Sequence, residues 1–599
     1  MKRSQGTTRI ESIRHSLAHI LAMAVLKKFP QAKLGVGPVI ENGFYYDFLL
    51  SADQRGHNTD SRRHNTISDA DLAGLEKTMQ ELIEQKLEFT GEKLTPAKAK
   101  KLFADQQFKL DLIKDFIKEK KQLTAYYTCP PPISYKLKAK SCFFDLCRGG
   151  HIKNTSEINS DAFKLTKVSG AYWKGDQKNP QLTRIYGIAF ETKKELEKYL
   201  KLQEEIEKRD HRVLGEKLEL FSQHDIAPGA IFWHPKGMIL WRVLEKFMRE
   251  KLDASGYGEV STPIMVKKEV FVKSGHFEHY RENMFTLESE KETYVLKPMN
   301  CPESTYIYSS RLRSYRDLPI RFSEITDRLH RNELSGTLGG LFRVRQMSQD
   351  DAHIYCAPNQ IENEVNKLLD LIQDVYKKFD LPVSFKLATK PDKAMGSPVL
   401  WKKAEAELET ILKKTGKPYE IKPKDGAFYG PKIDIHINDS LGRDWQLATI
   451  QLDFQLAEKF DLTYTDETGK KERPVVIHRA ILGTFERFIG ILIEHFAGEF
   501  PFWLAPVQTA VLTVTDRASP YAEEIIKTLK NKDVRVSYDQ RNETIGKKIR
   551  EAEIQKIPYI IIIGDREIES KTISIRQHKK GDLGKITIEE FLQLIEKKK

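Results

Sequence analysis

Two pairs of potential metal-ligating side chains lie near the start of the sequence. His15 and His19 are four positions apart, which places both on one face of a helix. Cys147 and His151 have the same spacing. Imidazole and thiolate groups at these spacings suit a tetrahedral metal ion, although histidines also occur as polar residues inside cores. The pattern alone therefore leaves a metal site and a packing role open.

Cationic side chains that could bind phosphate groups occur in three segments. Arg331 and Arg343 lie in the segment 322–357, Arg487 lies in GTFERF, and Lys432 lies in GPK. A guanidinium group matches the geometry of phosphate oxygens and stabilises negative charge in a transition state. Taken singly, each of these residues is better explained by a surface position or an ordinary ion pair.

A third group of candidates is dispersed through the chain. Cys301, His353 and His478 lie 52 and 125 positions apart, and this spacing does not by itself indicate a metal site. A buried cysteine or a core histidine is the default interpretation of each residue. These positions predict chemistry only within a recognised motif.

The elements that must position these residues fall into three regions. Residues 1 to about 190 mix helical and strand-like patterns, with a polar stretch at 51–68 that is typical of a loop or insertion. Interspersed charges at i, i+4 spacing predict a solvated connecting helix over 192–209. From 218 to about 500, helices alternate with strand-like runs.

From residue 503 the alternation becomes regular. We predict strands at 507–514, 534–538 and 559–563, and helices after Ser519-Pro520, at 545–555 and at 588–599. Strands separated by helices imply a small α/β domain with a mainly parallel sheet.

Length and composition limit the class of protein. A chain of 599 residues exceeds what one hydrophobic core supports, so several domains are expected. The 98 Lys and Arg residues against 85 Asp and Glu give a net charge of +13, which suits a polyanionic partner but also arises from lysine-rich solvated faces. No apolar run approaches the ~20 residues of a membrane helix.

The cysteines and the amino-terminal segment both indicate a cytoplasmic protein. Five cysteines are few and odd in number, which argues against a disulfide framework and for a reducing compartment. The apolar run 17–26 resembles part of a secretion signal, but Lys27 and Lys28 follow it where small residues should stand. We therefore expect a mature amphipathic helix there.

Segment 322–357, FSEITDRLHRNELSGTLGGLFRVRQMSQDDAHIYCA, together with GTFERF at 483–488, resembles motifs 2 and 3 of the class II aminoacyl-tRNA synthetases. Five further segments look like the threonyl branch of that family, namely SGHFEHYRENMF, LKPMNCPES, GAFYGPKID, WQLATIQLDF and VIHRAILGTFERFIG. The likeness runs from near residue 10 to the carboxyl terminus.

This resemblance implies an α+β multidomain protein. The expected parts are an antiparallel class II catalytic core, an N-terminal α+β editing domain and a C-terminal α/β anticodon-binding domain. We assign residues 1–190 to the editing domain, 191–217 to a connecting helix, 218–500 to the catalytic domain and 501–599 to the anticodon-binding domain.

The resemblance also implies a reaction and its residues. Enzymes of this kind activate L-threonine with ATP and Mg²⁺ and transfer it to tRNA(Thr). Arg331 is expected to contact the α-phosphate and the substrate carboxylate, and Glu333 the adenine amino group. Arg343 and Arg487 are expected to hold the distal phosphates, with Mg²⁺ bridging. Lys432 is a further candidate for carboxylate or phosphate contact.

By the same resemblance, Cys301, His353 and His478 bind one Zn²⁺ and leave coordination open, as catalytic zinc sites do. The metal in this family holds the amino and hydroxyl groups of threonine together. A site built around a hydroxyl rejects an analogue lacking it, here valine, by ~10⁴ or more. The other residues that the resemblance places in the threonine pocket are Gln349, Asp351, Tyr429 and Gln451.

Serine carries the same amino and hydroxyl groups, and the missing methyl is worth only ~10–200-fold. A second, hydrolytic site is therefore needed. His15, His19, Cys147 and His151 resemble the editing site of bacterial threonyl enzymes, where such groups orient water against the seryl ester. The family usually has proline where this chain has Gly150. A structural zinc site and inert packing remain the alternatives.

Several residues are expected to contact tRNA. His276, in SGHFEH, matches the position that contacts the terminal 2′-hydroxyl, so it is a candidate proton relay or hydrogen-bond partner. Asn542, Glu567 and Arg576 match positions that recognise anticodon bases, with turn or surface roles as the alternative. The segment 241–263 matches motif 1, which implies a homodimer.

The chain departs from the family pattern in two ways, and two other classes of protein could share its features. A small ubiquitin-like domain that begins many relatives is expected to be absent, and the polar insertion is longer than the family pattern. A non-catalytic paralogue would typically lose motif arginines or metal ligands, which this chain keeps. A stand-alone deacylase would need only the first region, and prolyl or seryl enzymes should lack the Cys/His/His set.

Overall fold

A computed structural model of the protein describes residues 8–50, 66–131 and 142–598, with the backbone alone at 326–328. It divides into two compact units, Met1–Glu204 and Glu205–Lys599. The predicted polar insertion at 51–68 lies outside the described residues except for its last three positions.

The first unit is built from helices and antiparallel strands. Its helices are α1 (Arg9–Lys28), α2 (Leu72–Glu84), α3 (Pro96–Leu102), α4 (Gln107–Lys118) and most of α5 (Lys193–Arg209). Its strands are β1 (Lys33–Leu34), β2 (Val39–Ile40), β3 (Gly43–Leu49), β4 (Glu88–Leu94), β5 (Leu123–Cys129), β6 (Phe143–Leu146), β7 (Phe163–Tyr172) and β8 (Gln181–Ala189). One sheet has the order β1-β3-β8-β7, with β2 on β3, and a second has the order β4-β5-β6.

Helix α1 is the central helix of this unit. The Thr8 hydroxyl accepts the Glu11 amide N–H, and the Glu11 carboxylate accepts the Thr8 N–H, so a capping box begins the helix. Every residue from 16 to 22 is buried, in a cluster shared with α2 and β3. The expectation of an amphipathic helix is therefore wrong for this stretch, because both sides of α1 are covered.

One disulfide also departs from the expectation of free thiols. Cys129 ends β5 and Cys142 precedes β6, its antiparallel neighbour, and the two Cα atoms are 4.7 Å apart. Cys147, Cys301 and Cys356 are free.

The second unit begins with a two-part connector. Helix α5 ends at Arg209 and helix α6 spans His211–Lys217, separated by Asp210, whose carboxylate caps α6 by accepting the Arg212 N–H at 2.8 Å. Helix α5 therefore confirms the helix predicted over 192–209, and Asp210 separates it from a second helix within the segment 191–217.

The catalytic-type region follows the connector. Its helices are α7 (Pro235–Ala254), α8 (Lys268–Lys273), α9 (His276–Tyr280), α10 (Cys301–Tyr308), α11 (Ile361–Lys377), α12 (Pro398–Lys414), α13 (Gln455–Lys459) and α14 (Phe485–His495). Its strands are β9 (Phe221–Ser222), β10 (Phe232–Trp233), β11 (Gly258–Glu259), β12 (Met265–Lys267), β13 (Phe285–Ser289), β14 (Glu292–Leu296), β15 (Ile320–His330), β16 (Gln346–Cys356), β17 (Val383–Ala388), β18 (Tyr419–Lys422), β19 (Lys432–Asn438), β20 (Asp444–Asp453), β21 (Tyr464–Thr465), β22 (Lys471–Glu472) and β23 (Val475–Thr484).

An eight-stranded sheet organises this region, in the order β11-β15-β16-β23-β20-β19-β17-β18. The six central strands are antiparallel, and only the edge pairs β11–β15 and β17–β18 are parallel. Side chains alternate between the faces of β16: Ala352 and Ile354 enter the core with α7, α11 and α14, whereas Asp351 and His353 point the other way. The predicted antiparallel core is confirmed.

The carboxyl-terminal region contains α15 (Ser519–Lys530), α16 (Ile545–Ile554), α17 (Asp565–Ser570), α18 (Ile588–Glu596), β24 (Thr509–Thr513), β25 (Val536–Asp539), β26 (Tyr559–Ile563), β27 (Ile573–Gln577) and β28 (Gly581–Ile586). The three predicted strands pair in parallel in the order β25-β24-β26, and the unpredicted hairpin β27–β28 adds two antiparallel strands. The sheet is therefore mixed.

No helix among the described residues is long and apolar enough to cross a membrane.

A fully buried ion pair lies beneath the large sheet. Arg479 Nη1 donates to the Asp350 carbonyl oxygen at 2.7 Å and to its carboxylate at 3.2 Å. The same carboxylate accepts the N–H groups of Ile481 and Leu482, both at 2.8 Å. Burial raises the pKa of Asp350 to about 7, opposed by Arg479. This pair therefore links β16 to β23.

Replacing Arg479 by Met should lower the free energy of unfolding by about 3–5 kcal/mol, because it leaves Asp350 buried without its cation. Urea denaturation followed by tryptophan fluorescence measures the loss. Arg517→Met is the matched control, since Arg517 pairs with Asp565 but is 80% exposed, and should change stability by less than about 0.5 kcal/mol. Equal effects of both substitutions would contradict the assignment.

Candidate active sites

A cavity of about 750 Å³ opens on the face of the large sheet opposite the helices. Most predicted residues of the second unit line it, namely Cys301, Arg331, Glu333, Arg343, Gln349, Asp351, Tyr429, Lys432, Gln451, His478 and Arg487. His276 and His353 are buried behind this lining.

The Cys301, His353 and His478 side chains converge at the floor of the cavity. His353 on β16 lies directly opposite His478 on β23, and Cys301 begins α10. One ligand atom from each residue lies within 4.8 Å of the others. His353 Nε2 and His478 Nδ1 are buried and have no hydrogen-bond partner within the described residues. Two imidazole nitrogens left free of hydrogen bonds by the described residues, beside a thiol, have the chemistry of a metal site.

An acidic residue that the sequence analysis missed orients one of these imidazoles. Asp453 ends β20 beside β23, and its carboxylate lies 3.1 Å from His478 Nε2. A carboxylate at this nitrogen leaves Nδ1 free to face the cavity, as in carboxylate–histidine–metal arrangements. Asp453 lies within the quoted segment WQLATIQLDF, but nothing in that segment indicated that its carboxylate would face a histidine on another strand.

Polar groups surround the floor. Asn300 Nδ2 donates to the Asp351 carboxylate at 3.0 Å, and burial raises the pKa of Asp351 to about 6. The Tyr429 hydroxyl donates to Gln451 Oε1. These contacts hold the acceptor and amide groups in fixed positions around a small polar pocket.

Three guanidinium groups meet at the other end of the cavity. Arg331 and Arg343 lie 3.9 Å and 3.7 Å from the Glu333 carboxylate. Burial lowers the pKa of Arg487, and the charges of Arg331 and Arg343 lower it further. One carboxylate cannot neutralise three cations, so this end of the cavity favours a polyanion.

Other residues depart from their expected roles or were missed. Lys432 Nζ already pairs with the buried Asp434 carboxylate at 2.5 Å. Phe342, Thr484 and Lys393 line the cavity but were not predicted. The Phe342 carbonyl accepts the Arg487 Nε–H at 3.2 Å, which fixes the guanidinium.

His276 does not titrate near neutrality. Burial lowers its pKa to about 4, and the neighbouring His478 adds to this. Its Nδ1 lies 2.9 Å from the Ser274 hydroxyl, and its Nε2 is buried without a partner within the described residues. The imidazole is therefore neutral at physiological pH and can accept a hydrogen bond.

A second cluster lies in the first unit, at a cavity of about 320 Å³. Cys147 Sγ lies 3.3 Å from His15 Nε2 and 3.2 Å from His151 Nε2. His19 belongs to the same group, within 4.8 Å. Burial raises the pKa of Cys147 to about 12 and lowers the pKa of all three histidines.

The backbone conformation at Gly150 explains why glycine stands where the family usually has proline. Gly149 and Gly150 have φ angles of +94° and +86°. Proline is restricted to φ near −65°, so this loop has a conformation that proline cannot adopt. The loop nonetheless places Cys147 and His151 together.

A buried polar network beside this cluster escaped the sequence analysis. Lys109 Nζ lies 2.5 Å from the Asp145 carboxylate and 3.0 Å from the Tyr46 hydroxyl. The same carboxylate lies 3.7 Å from His19 Nε2. A lysine in helix α4 carries no motif, and only the fold shows that it is nearly fully buried.

The predicted anticodon residues are not brought into one cluster by the contacts of the described residues. Asn542 is exposed in the loop before α16. Glu567 is buried and accepts the Gly564 N–H at 3.0 Å and the Ser574 hydroxyl at 2.9 Å. Arg576 lies on β27, and its buried Nε has no hydrogen-bond partner among the described residues.

Comparisons with known proteins agree with this architecture. Residues 132–186 match the threonyl and alanyl tRNA synthetase second additional domain, 285–496 match the tRNA synthetase class II core domain (G, H, P, S and T), and 508–598 match an anticodon binding domain. The threonine–tRNA ligase of Clostridium tetani is 45% identical over 97% of this chain and 87% of its own. That of Citrifermentans bemidjiense is 46% identical over 98% and 88%.

The chain belongs to the threonine–tRNA ligase family. A crystal structure of the RNA binding domain of the Cryptosporidium parvum threonyl-tRNA synthetase has a TM-score of 0.63 and 40% identity, covering 65% of this chain and 98% of that one. As a threonine–tRNA ligase, the protein joins threonine to tRNA(Thr) with ATP and Mg²⁺, and it carries an editing domain. The expected class II core and the function are confirmed.

Proposed function

We propose that the large cavity activates threonine, with a metal ion at its floor and ATP at its arginine-rich end. Cys301, His353 and His478 converge at the floor of the cavity and three arginines meet at its other end, which supports this arrangement. The carboxylate of threonine must attack the α-phosphate, so both ends must lie within one cavity.

The arginine-rich end has the charge that nucleotide binding needs. Arg331 contacts the α-phosphate and the threonine carboxylate, and Glu333 accepts a hydrogen bond from the adenine amino group. Arg343 and Arg487 hold the distal phosphates, where guanidinium groups stabilise charge in the transition state. Lys432 takes a supporting role, because its ammonium is already paired with Asp434.

The residues at the floor fit Zn²⁺. One thiol, two unpartnered imidazole nitrogens and the Asp453 carboxylate behind His478 form a three-ligand site with room for substrate. When bound, the ion supplies a Lewis acid that coordinates the amino and hydroxyl groups of threonine. Gln349, Asp351, Tyr429 and Gln451 hold the rest of the substrate.

ATP–pyrophosphate exchange tests this assignment across the twenty amino acids. Exchange should depend on threonine, stop after chelation and return with Zn²⁺. Cys301→Ala should lose bound zinc and lower exchange by more than ~100-fold, the upper range for loss of an outer-shell partner. Cys356→Ala, which alters a core-facing cysteine of β16, should keep both.

A protein without stoichiometric zinc, or one that accepts valine as readily as threonine, would show the assignment to be wrong. Two zinc ions per chain would favour the alternative that the amino-terminal cluster binds metal.

For the transfer step, we propose that His276 accepts a hydrogen bond or proton from the terminal 2′-hydroxyl of tRNA. Its neutral imidazole and unpartnered Nε2 suit an acceptor. A group with a pKa of about 4 is a weak base, so hydrogen bonding is the larger part of this role.

The amino-terminal cluster is proposed as the site that hydrolyses mischarged seryl-tRNA(Thr). Neutral His15, His19 and His151 can accept hydrogen bonds from water and orient it against the seryl ester, and Cys147 lies within 3.3 Å of His15 and His151. The cavity beside these residues leaves room for the terminal ribose.

Hydrolysis of seryl-tRNA should stay on its plateau at pH 6, because burial lowers the pKa of each histidine and the neutral form persists below the usual value near 6.5. Rates measured from pH 5 to 8 test this. His19→Ala gives the uncatalysed background. A rate that falls about threefold between pH 7 and pH 6, as a histidine with the usual pKa near 6.5 would give, would contradict the proposal.

The carboxyl-terminal module is proposed to bind the anticodon through Asn542, Arg576 and, less directly, Glu567. Asn542 is exposed, and no described residue pairs with Arg576 Nε. Glu567 is occupied by Gly564 and Ser574, so it supports the site's geometry.

Arg576→Ala should raise the KM for tRNA by about 10-fold, the cost of about one charged hydrogen bond, and leave ATP–pyrophosphate exchange unchanged. Asn542→Ala should act in the same direction. Arg566→Ala changes an exposed arginine of α17 and serves as the control. An unchanged KM in both test variants would remove these residues from the anticodon site.

The remaining proposals concern organisation. We propose functional boundaries at 1–190, 191–217, 218–500 and 501–599, although the compact units divide at residue 204. We also propose a homodimer formed at the β11 edge of the large sheet, where motif 1 lies, and a cytoplasmic location suited to translation. The β11 edge strand is exposed.

A further inference from the structure

We propose that His211 is a positioning residue for ATP, because it ties the loop that carries Arg343 to the helix that carries Arg487. The inference rests on the proposed ATP site. His211 lies outside the cavity, at the start of α6 in the connector, and no motif of the sequence analysis includes it.

The hydrogen bonds of His211 define a single neutral tautomer. The Leu341 amide N–H donates to Nε2 at 2.9 Å, so Nε2 is the acceptor nitrogen. Nδ1 then carries the proton and donates it to the Glu494 carboxylate at 2.6 Å. The His211 backbone N–H reaches the same carboxylate oxygen at 3.1 Å. Both ring nitrogens of His211 therefore have a hydrogen-bond partner.

These two bonds join two ATP-facing elements. Leu341 belongs to the loop between β15 and β16, and Phe342 and Arg343 follow it into the cavity. Glu494 belongs to α14, whose first turn carries Arg487. His211 therefore sets the distance between the two elements from behind, while the Arg487 Nε–H to Phe342 carbonyl bond joins them at the front.

Packing leaves this contact little freedom. The His211 and Phe342 rings have centroids 4.1 Å apart, and Trp445 lies 4.6 Å beyond Phe342. Gly340 has a φ of +52°, and a Cβ there would come within 2.1 Å of His211 Nε2. His211 and Leu341 are 3% and 0% exposed. The loop can approach only because residue 340 is glycine.

The far side of Glu494 is also held. Arg443 donates to the other oxygen of Glu494 and to the Asp439 carboxylate at 2.7 Å. Arg209, two residues before His211, donates to the His495 carbonyl oxygen at 3.1 Å at the end of α14. The carboxylate is thus a fixed anchor, and His211 transmits its position to the loop.

Two substitutions separate the two bonds. Asn has a side-chain amide near the place of Nδ1, so His211→Asn keeps the donor to Glu494 and loses the acceptor for Leu341. Gln reaches the place of Nε2, so His211→Gln keeps an acceptor for Leu341 and loses the bond to Glu494. His224→Asn, at an exposed histidine on the same segment, is the matched control.

The KM values for ATP and threonine in ATP–pyrophosphate exchange provide the test on the full chain. His211→Asn should raise the KM for ATP by about 10-fold, the cost of one unsatisfied buried N–H, and change the KM for threonine by less than about 2-fold. His211→Gln should restore most of the ATP affinity, and His224→Asn should match the unmodified chain.

Two results would overturn the proposal. One is an unchanged KM for ATP in His211→Asn. The other is a parallel loss for both substrates, with thermal unfolding shifted equally in the Asn and Gln variants, which would indicate a purely structural role. If the unmodified chain itself showed no threonine-dependent exchange, the proposed ATP site would fail instead.

Discussion

The site in the large cavity depends on the antiparallel pairing of β16 with β23. It places His353 opposite His478 although 124 residues intervene, and the same ladder places Asp351 opposite Ala480. Side chains alternate along a strand, so a slip of either strand by one residue would turn its imidazole into the apolar core. The Arg479–Asp350 pair lies on the core face of these same strands and opposes such a slip.

The like charges and the imidazole nitrogens in this cavity destabilise the folded state, and the surrounding structure must offset that cost. Arg331, Arg343 and Arg487 approach one another with Glu333 as a nearby counter-ion, and two imidazole nitrogens at the floor have no partner in the part of the chain that the structure describes. Groups arranged in this way are stable only where the surrounding structure holds them, and a ligand that supplies negative charge or a cation then gains affinity. Glu486 contributes to this support: its buried carboxylate accepts the Ser348 N–H at 3.0 Å, which joins α14 to β16.

Family motifs allowed most of the cavity-lining residues to be predicted, but not the residues that hold them in position. Arg331, Arg487 and the proposed metal ligands have chemical types that a family pattern specifies. Asp453, Lys109 and His211 act through a contact partner distant in sequence, and nothing in local spacing distinguishes them from ordinary strand or helix residues. The fold was predictable where strands and helices alternate regularly. The β27–β28 hairpin was missed because it is short and lysine-rich, and the burial of α1 was missed because both covering elements come later in the chain.

The protonation state of the amino-terminal cluster, His15, His19, Cys147 and His151, limits its chemistry. The thiolate is the nucleophilic form of cysteine, and burial raises the pKa of Cys147 to about 12, so the thiol predominates at neutral pH. Attack by Cys147 on the seryl ester would need an imidazole to take its proton, yet the pKa values of His15 and His151 are lowered, which makes an ion pair unfavourable. Water held between neutral groups avoids that charge separation. The raised pKa of Cys147 and the lowered pKa values of His15 and His151 therefore disfavour an acyl-thioester intermediate at the proposed hydrolytic site.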